Sequence, residues 1–308
     1  MGQSQYAVVE ADESDASFLE LKPYYAVVTN IEDDHLDFYR SVDNIHKAFN
    51  KYIDGVKTGG LAVVYGEDES IKVIADMTPT RLVTYGEAEN NDYYFRNWTA
   101  AGMGSVFEIY HNRKLLGQVE LSIPGRHNAL NATSAVAVAM EMGLDFAAVS
   151  RAIKEFHGAK RRFEVIGQEK NITVVDDYAH HPTEIQATIE AARSYQSQGR
   201  VVVLFQPHRY SRTQLLGKQL GEALAAADLV VVTDVYSAGE NKIPGIDGSL
   251  VEKAARHAGA SSVYCSSWQE AEKYLISEIR NNDLIITMGA GDIWKMGPQL
   301  LEKCQCSV

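Results

Sequence analysis

Cysteine is scarce, with three in 308 residues. So small and odd a number excludes a disulfide framework and fits free thiols in a reducing compartment, the cytoplasm being the expected one. Cys304 and Cys306 are expected in a tail that supplies no further ligands for a metal. No apolar run approaches the roughly 20 residues of a membrane span and no signal peptide opens the chain, so no membrane partner is expected. Basic excess is missing too: the net charge is −12. Counted along the sequence, residues 1–156 hold 23 acidic and 13 basic side chains, and residues 157–308 hold 18 and 16. An acidic half argues against a nucleic-acid surface. It still admits a polyphosphate, provided a divalent metal sits between carboxylates and phosphates. Internal repeats and low-complexity tracts are absent.

What is present is the texture of a two-domain α/β protein. Hydrophobic residues make up 45% and charged residues 23%, and the length suffices for two cores. Tyr6–Glu10, Tyr25–Thr29 and Leu61–Tyr65 read as strands, and Ser41–Val56 as a helix with Ile45, Phe49, Tyr52 and Ile53 on one face. From Arg81 to Ile123 the runs at Val83–Tyr85, Tyr93–Phe95, Val106–Tyr110 and Val119–Ile123 suggest antiparallel hairpins. Helices follow from Asn128 to about Met142 and over Asp145–Phe156, with Asp145 as N-cap. After a junction near His157–Arg162 the pattern restarts. Strands at Ile172–Val175, Val201–Phe205, Leu229–Thr233 and Leu284–Thr287 alternate with helices near Glu184–Gln196, Leu215–Ala226, Gly248–His257 and Gln269–Ile279. Such alternation predicts a parallel sheet covered on both faces.

The residues that carry chemistry gather where strands end, which is where open α/β sheets bind ligands. The richest stretch is Asp176-Asp177-Tyr178-Ala179-His180-His181-Pro182-Thr183-Glu184. Burying such a group without partners is costly, although a polar loop with an Asp cap remains open as an alternative. Glu10–Asp15 and Thr29–His35 follow the first two strands, and Glu10 with His35 offers a carboxylate and an imidazole to a metal such as Mg²⁺. Gly125–Asn131 opens a helix that suits an anion or a purine edge, or in which Asn128 simply caps. Lys160-Arg161-Arg162 is either a solvated face or a phosphate contact. Arg209 and Arg212, three apart in Gln206–Thr213, are placed to grip a carboxylate. Gly289–Asp292 is a turn that resembles a phosphate loop.

Taken in order, EADESDASF, TNIEDDHLDFY, PGRHNALNA, KRRFE, DDYAHHPTEI, QPHRYSRT, DVYSAGE and MGAGDIW resemble the Mur ligase family, ATP-dependent enzymes that build the peptidoglycan stem peptide. The resemblance runs essentially end to end. QPHRYSRT and DDYAHHPTEI favour the member that joins L-alanine to UDP-N-acetylmuramic acid. It implies ATP and Mg²⁺ as cofactors, with Glu10 and His35 as metal ligands. It also implies that His127, Asn128 and Asn131 lie at the adenine, Asp176 or Asp177 at the ribose, and Arg161 or Arg162 at a phosphate. Tyr178, His180, Arg209 and Arg212 are expected around the muramyl carboxylate and the incoming amino acid, His180 orienting or deprotonating the amine.

One departure stands out. The family pattern has a G-x-x-G-K-S/T phosphate loop before EADESD, and this chain has no G-K-S/T. The expected fold is therefore α/β, with an incomplete central ATPase-type domain over 1–156 and a Rossmann-like parallel C-terminal domain over 157–308. A missing strand would leave an apolar sheet edge, so self-association is expected. The same absence raises the alternative of a catalytically silent nucleotide- or substrate-binding module.

Overall fold

The computed structural model describes residues 4–32, 35–195 and 198–306. In chain order the elements are Tyr25–Val28 (β1), Leu36–Tyr39 (α1), Val42–Asp54 (α2), Leu61–Tyr65 (β2), Glu69–Ala75 (α3) and Leu82–Gly86 (β3). Tyr93–Ala101 (β4), Gly104–His111 (β5), Lys114–Leu121 (β6), Arg126–Glu141 (α4) and Phe146–Lys154 (α5) follow. Then come Glu164–Glu169 (β7), Ile172–Asp177 (β8), Pro182–Tyr195 (α6), Val201–Phe205 (β9), Tyr210–Leu224 (α7) and Leu229–Val232 (β10). Ser249–His257 (α8), Ser262–Tyr264 (β11), Trp268–Glu278 (α9), Leu284–Met288 (β12) and Met296–Cys306 (α10) complete the order. The chain divides into two compact units, one running to Lys154 and the other from Glu155, with Ala100–Ser105 and Leu121–His127 counted in the second.

In the first unit the strand order is β1-β2-β3-β4-β5-β6. The strands β1, β2 and β3 are parallel, and β3 also pairs β4 in parallel through Tyr85 and Tyr93. Antiparallel pairing was expected from Val83 onward, and here it begins only after β4. Two-residue connections, Gly102-Met103 and Asn112-Arg113, join β4 to β5 and β5 to β6, and only antiparallel neighbours can be joined so tightly. Asn112 and Arg113 both take positive φ, as a type I′ hairpin turn requires. Ser41 caps α2 by accepting from Asn44 N. Tyr6–Glu10 forms no strand: among the described residues it has no sheet partner, and Val8 is fully exposed. Extended backbone becomes a strand only by pairing, which the local apolar pattern cannot report.

The second unit holds a sheet of order β11-β10-β9-β12-β8-β7, parallel throughout except for β7. Strand alternation splits its core. Val175, Val201, Val203, Phe205, Val230, Val232, Leu284 and Ile286 face α6, α7 and α8. Ile172, Val174, Val202, Leu204, Leu229, Val231 and Ile285 face α9 and α10. Both faces are thus covered, which is why these strands read as unbroken apolar runs. Cys304 corrects an expectation: it lies in α10, buried in this core, rather than in a tail. The side chain of Cys306 and the residue Gln196 lie outside the described part.

Candidate active site

The candidate side chains of the second unit gather at the carboxyl ends of β8, β9, β10 and β12, on the strand ends and following loops, the start of α7 and the segment before β7. At β8 the paired carboxylates turn inward. Asp176 is 1% and Asp177 5% exposed. Asp176 accepts from Thr287 Oγ1 at 2.7 Å and from Arg161 Nε at 3.0 Å. Asp177 accepts from Phe163 N and Ala179 N, both at 2.8 Å, and from Thr188 Oγ1 at 3.1 Å. Burial pushes the Asp177 carboxyl up to about 6 against the pull of those donors and of Arg162. These bonds tie the pair to Arg161 and Phe163 before β7, to Thr188 of α6 and to Thr287 of β12.

Arg161 and Arg162 separate in role. Arg161 is tied down, also donating through a terminal nitrogen to Gly289 O at 2.6 Å. Arg162 is half-exposed and touches Glu184 Oε1 at 3.4 Å. Both guanidinium groups lie over the Tyr178 ring, at 4.9 and 5.5 Å from its centre, a cation–π arrangement that fixes the phenol. Burial, then Arg162, lowers the pKa of His127 in the same unit.

A row of rings continues outward from Tyr178. His180 packs edge-on to Tyr178 at 5.3 Å, His208 lies 5.9 Å from His180, and Tyr236 stacks on His208 at 5.7 Å. Burial, with help from His180, Arg212 and Arg209, pushes His208 down to about 4. Its Nδ1 is buried and makes no hydrogen bond. Arg209 follows at φ 67°, ψ 138°, a strained conformation for a residue with a Cβ. The backbone holds it there: Arg209 N donates to Tyr236 O and Tyr236 N to Pro207 O, each at 2.8 Å. Arg212 lies in the first turn of α7, which begins five residues before the expected Leu215. A distant carboxylate explains the early start: Glu240 accepts from Ser211 N at 3.0 Å and Ser211 Oγ at 2.6 Å. Gly289 and Gly291 close the site; a Cβ on the latter would lie 2.3 Å from Gln206 Oε1 and 2.7 Å from the Tyr236 ring. Gln206, Tyr236 and Glu240 had no role in the sequence reading, although all three sit in motifs quoted there.

In the first unit Glu10 is exposed, and the His35 imidazole lies 3.5 Å from Glu13. Donors from Ser14 hold Asp12 below the usual carboxylate range. Asp33 and Asp34 lie outside the described residues. Among the described residues no group of three or more ligating side chains converges. The donors are hard carboxylate oxygens beside an imidazole, and Mg²⁺ is commonly held by one or two carboxylates with waters and phosphates, so the set fits that ion. Asn128 and Asn131 lie on α4, which begins at Arg126. Asn128 is therefore the third residue of the helix.

Residues 1–139 match the model of the Mur ligase middle domain, and residues 161–291 that of the Mur ligase glutamate ligase domain. The chain belongs to the Mur ligase family. A curated UDP-N-acetylmuramate–L-alanine ligase of Syntrophomonas wolfei is 58% identical over 98% of this chain and 65% of its own length. Another, from Desulforamulus reducens, is 44% identical over 99% and 66%. The chain thus spans about two thirds of these relatives. A crystal structure of UDP-N-acetylmuramate–alanine ligase from Thermotoga maritima superposes with a TM-score of 0.79 at 31% identity, over 96% of this chain and 63% of that one. A murein peptide ligase from Psychrobacter arcticus gives 0.65 at 22%, over 94% and 59%, and shows the fold alone. As a Mur ligase, the chain is mixed α/β with parallel-dominated sheets.

Proposed function

We propose that this Mur ligase chain serves an ATP- and Mg²⁺-dependent enzyme that joins L-alanine to UDP-N-acetylmuramic acid in peptidoglycan precursor synthesis. The observation that carries the reading is the 58% identity to a ligase of that name across nearly the whole chain. The geometry supports it, because cationic and imidazole groups crowd the strand ends where an anionic substrate would sit. In this reading the muramyl carboxylate attacks the terminal phosphorus of ATP and ADP leaves. The amine of L-alanine then attacks the acyl phosphate and phosphate leaves. Such a reaction depends on positioning and charge neutralisation.

Arg209 and Arg212 grip the carboxylates, Arg162 meets a phosphate, and Tyr178 with His180 lines the place of the incoming amine. Arg161, Asp176 and Asp177 hold the loop that presents them. His127, Asn128 and Asn131 serve the adenine. Glu10 and His35, with Glu13 beside the imidazole, would hold Mg²⁺, which supplies charge neutralisation at the phosphates. No helix among the described residues is long and apolar enough to cross a membrane. The persistence of these charged groups disfavours a catalytically silent module.

The test is ADP release by the full-length protein containing this chain, with UDP-N-acetylmuramic acid, ATP, Mg²⁺ and each of L-alanine, glycine and D-glutamate. Release that requires L-alanine supports the reading. Release with another amino acid and none with L-alanine overturns it.

A further inference from the structure

Glu184 does more than begin a helix. It sits three residues after His181, in the first turn of α6, and its Oε2 accepts from His181 N at 3.2 Å and His180 N at 3.0 Å. Those two bonds are what a carboxylate at this helical position ordinarily supplies. The same oxygen, however, also lies 3.4 Å from Nδ1 of the His180 ring, and Oε1 lies 3.4 Å from Arg162. A second acceptor, Tyr178 O, stands 3.1 Å from the same Nδ1. Two acceptors converging on one ring nitrogen place the proton there, since neither a carbonyl nor a carboxylate can donate. The neutral imidazole then keeps its lone pair on Nε2.

The charged neighbours sort the two imidazoles of the site. His180 faces the carboxylate of Glu184, the phenol of Tyr178 and, at 5.9 Å, the ring of His208. His208 faces His180, Arg209, Arg212 and the stacked Tyr236, with Glu240 the more distant anion. An anion beside a histidine favours its protonated form, and cations beside one disfavour it. Glu184 itself stays ionised: burial opposes this, but His180, Arg162 and the two backbone donors outweigh it.

We infer that Glu184 is a positioning residue that fixes the Nδ1–H tautomer of His180 and makes His180, not His208, the acceptor of the proton shed by the incoming amine. The inference rests on the ligase reading. The ammonium group gives one proton to His180 Nε2, and the freed lone pair forms the N–C bond. The C–O bond to phosphate breaks with its electrons, and the second amine proton leaves on the phosphate. Nothing else need supply or take electrons.

The experiment is the pH profile of kcat/KM for L-alanine in the full-length enzyme, with E184Q, E184A and H180Q. E184Q keeps an oxygen to cap the helix, while it loses the charge and the acceptor that faces Arg162. Its acid limb should move down by about one pH unit and its plateau fall about tenfold, with melting close to wild type. A limb and plateau unchanged in E184Q, with only E184A melting early, would reduce Glu184 to a helix cap and overturn the inference. A full plateau in H180Q overturns the proton-acceptor role while leaving the ligase intact. Wild-type protein that turns over no L-alanine overturns the ligase reading, and this one with it.

Discussion

Arg161 and Asp176 form the tie on which the loop after β8 is built. Nε donates to Oδ2 at 3.0 Å, Asp176 is 1% exposed, and the remaining guanidinium reaches Gly289 O on the neighbouring strand end. The partnership distributes the work of the Lys160–Arg162 run: one arginine is structural and its neighbour faces the site.

Breaking that tie should therefore cost stability before it costs chemistry. Removing one partner of a buried pair typically costs about 3–5 kcal/mol; Arg161 is 23% exposed, so roughly 2–3 is expected for Arg161→Met. Adding Asp176→Asn should recover part of the loss. Thermal melting of the two variants checks this, and an unchanged midpoint in R161M contradicts the assignment.

In the proposed function Arg212 contacts the substrate instead. Loss of one charge-assisted contact is worth roughly 1.5–3 kcal/mol, so Arg212→Ala in the full-length enzyme should lower kcat/KM for L-alanine about tenfold to a hundredfold. Steady-state kinetics at low L-alanine measure it. Kinetics like the wild type's would remove Arg212 from the substrate site.

Asp177 should leave a signature in the pH dependence of folding. Its carboxyl is raised from 3.8 in the unfolded chain to about 6 in the fold. A raised carboxyl contributes stability that is fully present below pH 3.8 and lost as pH climbs through 6. At 1.36 kcal/mol per unit that is on the order of 3 kcal/mol. Asp177→Asn lacks this titration, so it should gain on the wild type between pH 4 and pH 7. Parallel melting curves across that range would show that the raised carboxyl is not present.

The glycine turn after β12 tests the closure of the site. Gly289 takes φ 143°, and a Cβ there would lie 2.6 Å from the backbone oxygen of Gln206. Backbone cannot step aside as a side chain does, so Gly289→Ala should destabilise by about 1–3 kcal/mol. Denaturant unfolding reads this directly. A neutral result would mean that β9 and β12 yield to each other more readily than their pairing suggests.

Much of this was legible in the residues alone. Four of the five parallel strands of the second unit announced themselves as short β-branched runs, because burial on both faces favours apolar side chains along the strand. The motifs that follow these strands stand at the carboxyl edge of the sheet, since chain direction alone puts them there. Other features could not be read. β7 has mixed burial and no clean period, β11 is short and half-buried, Tyr6–Glu10 has the pattern of a strand but no sheet partner among the described residues, and α7 begins early because Glu240, 29 residues beyond Ser211, accepts from it.

The sequence by itself determined the α/β class, the family, and which short segments carry charge, since these depend on side-chain type and on local period. Only the tertiary structure decided which of two adjacent residues does what. Arg161 turns in and Arg162 out, Asp177 is raised, and Glu184 meets the ring of His180. Such choices hang on the direction of a single Cα–Cβ bond and on partners distant along the chain, and those are fixed only when strands and helices pack.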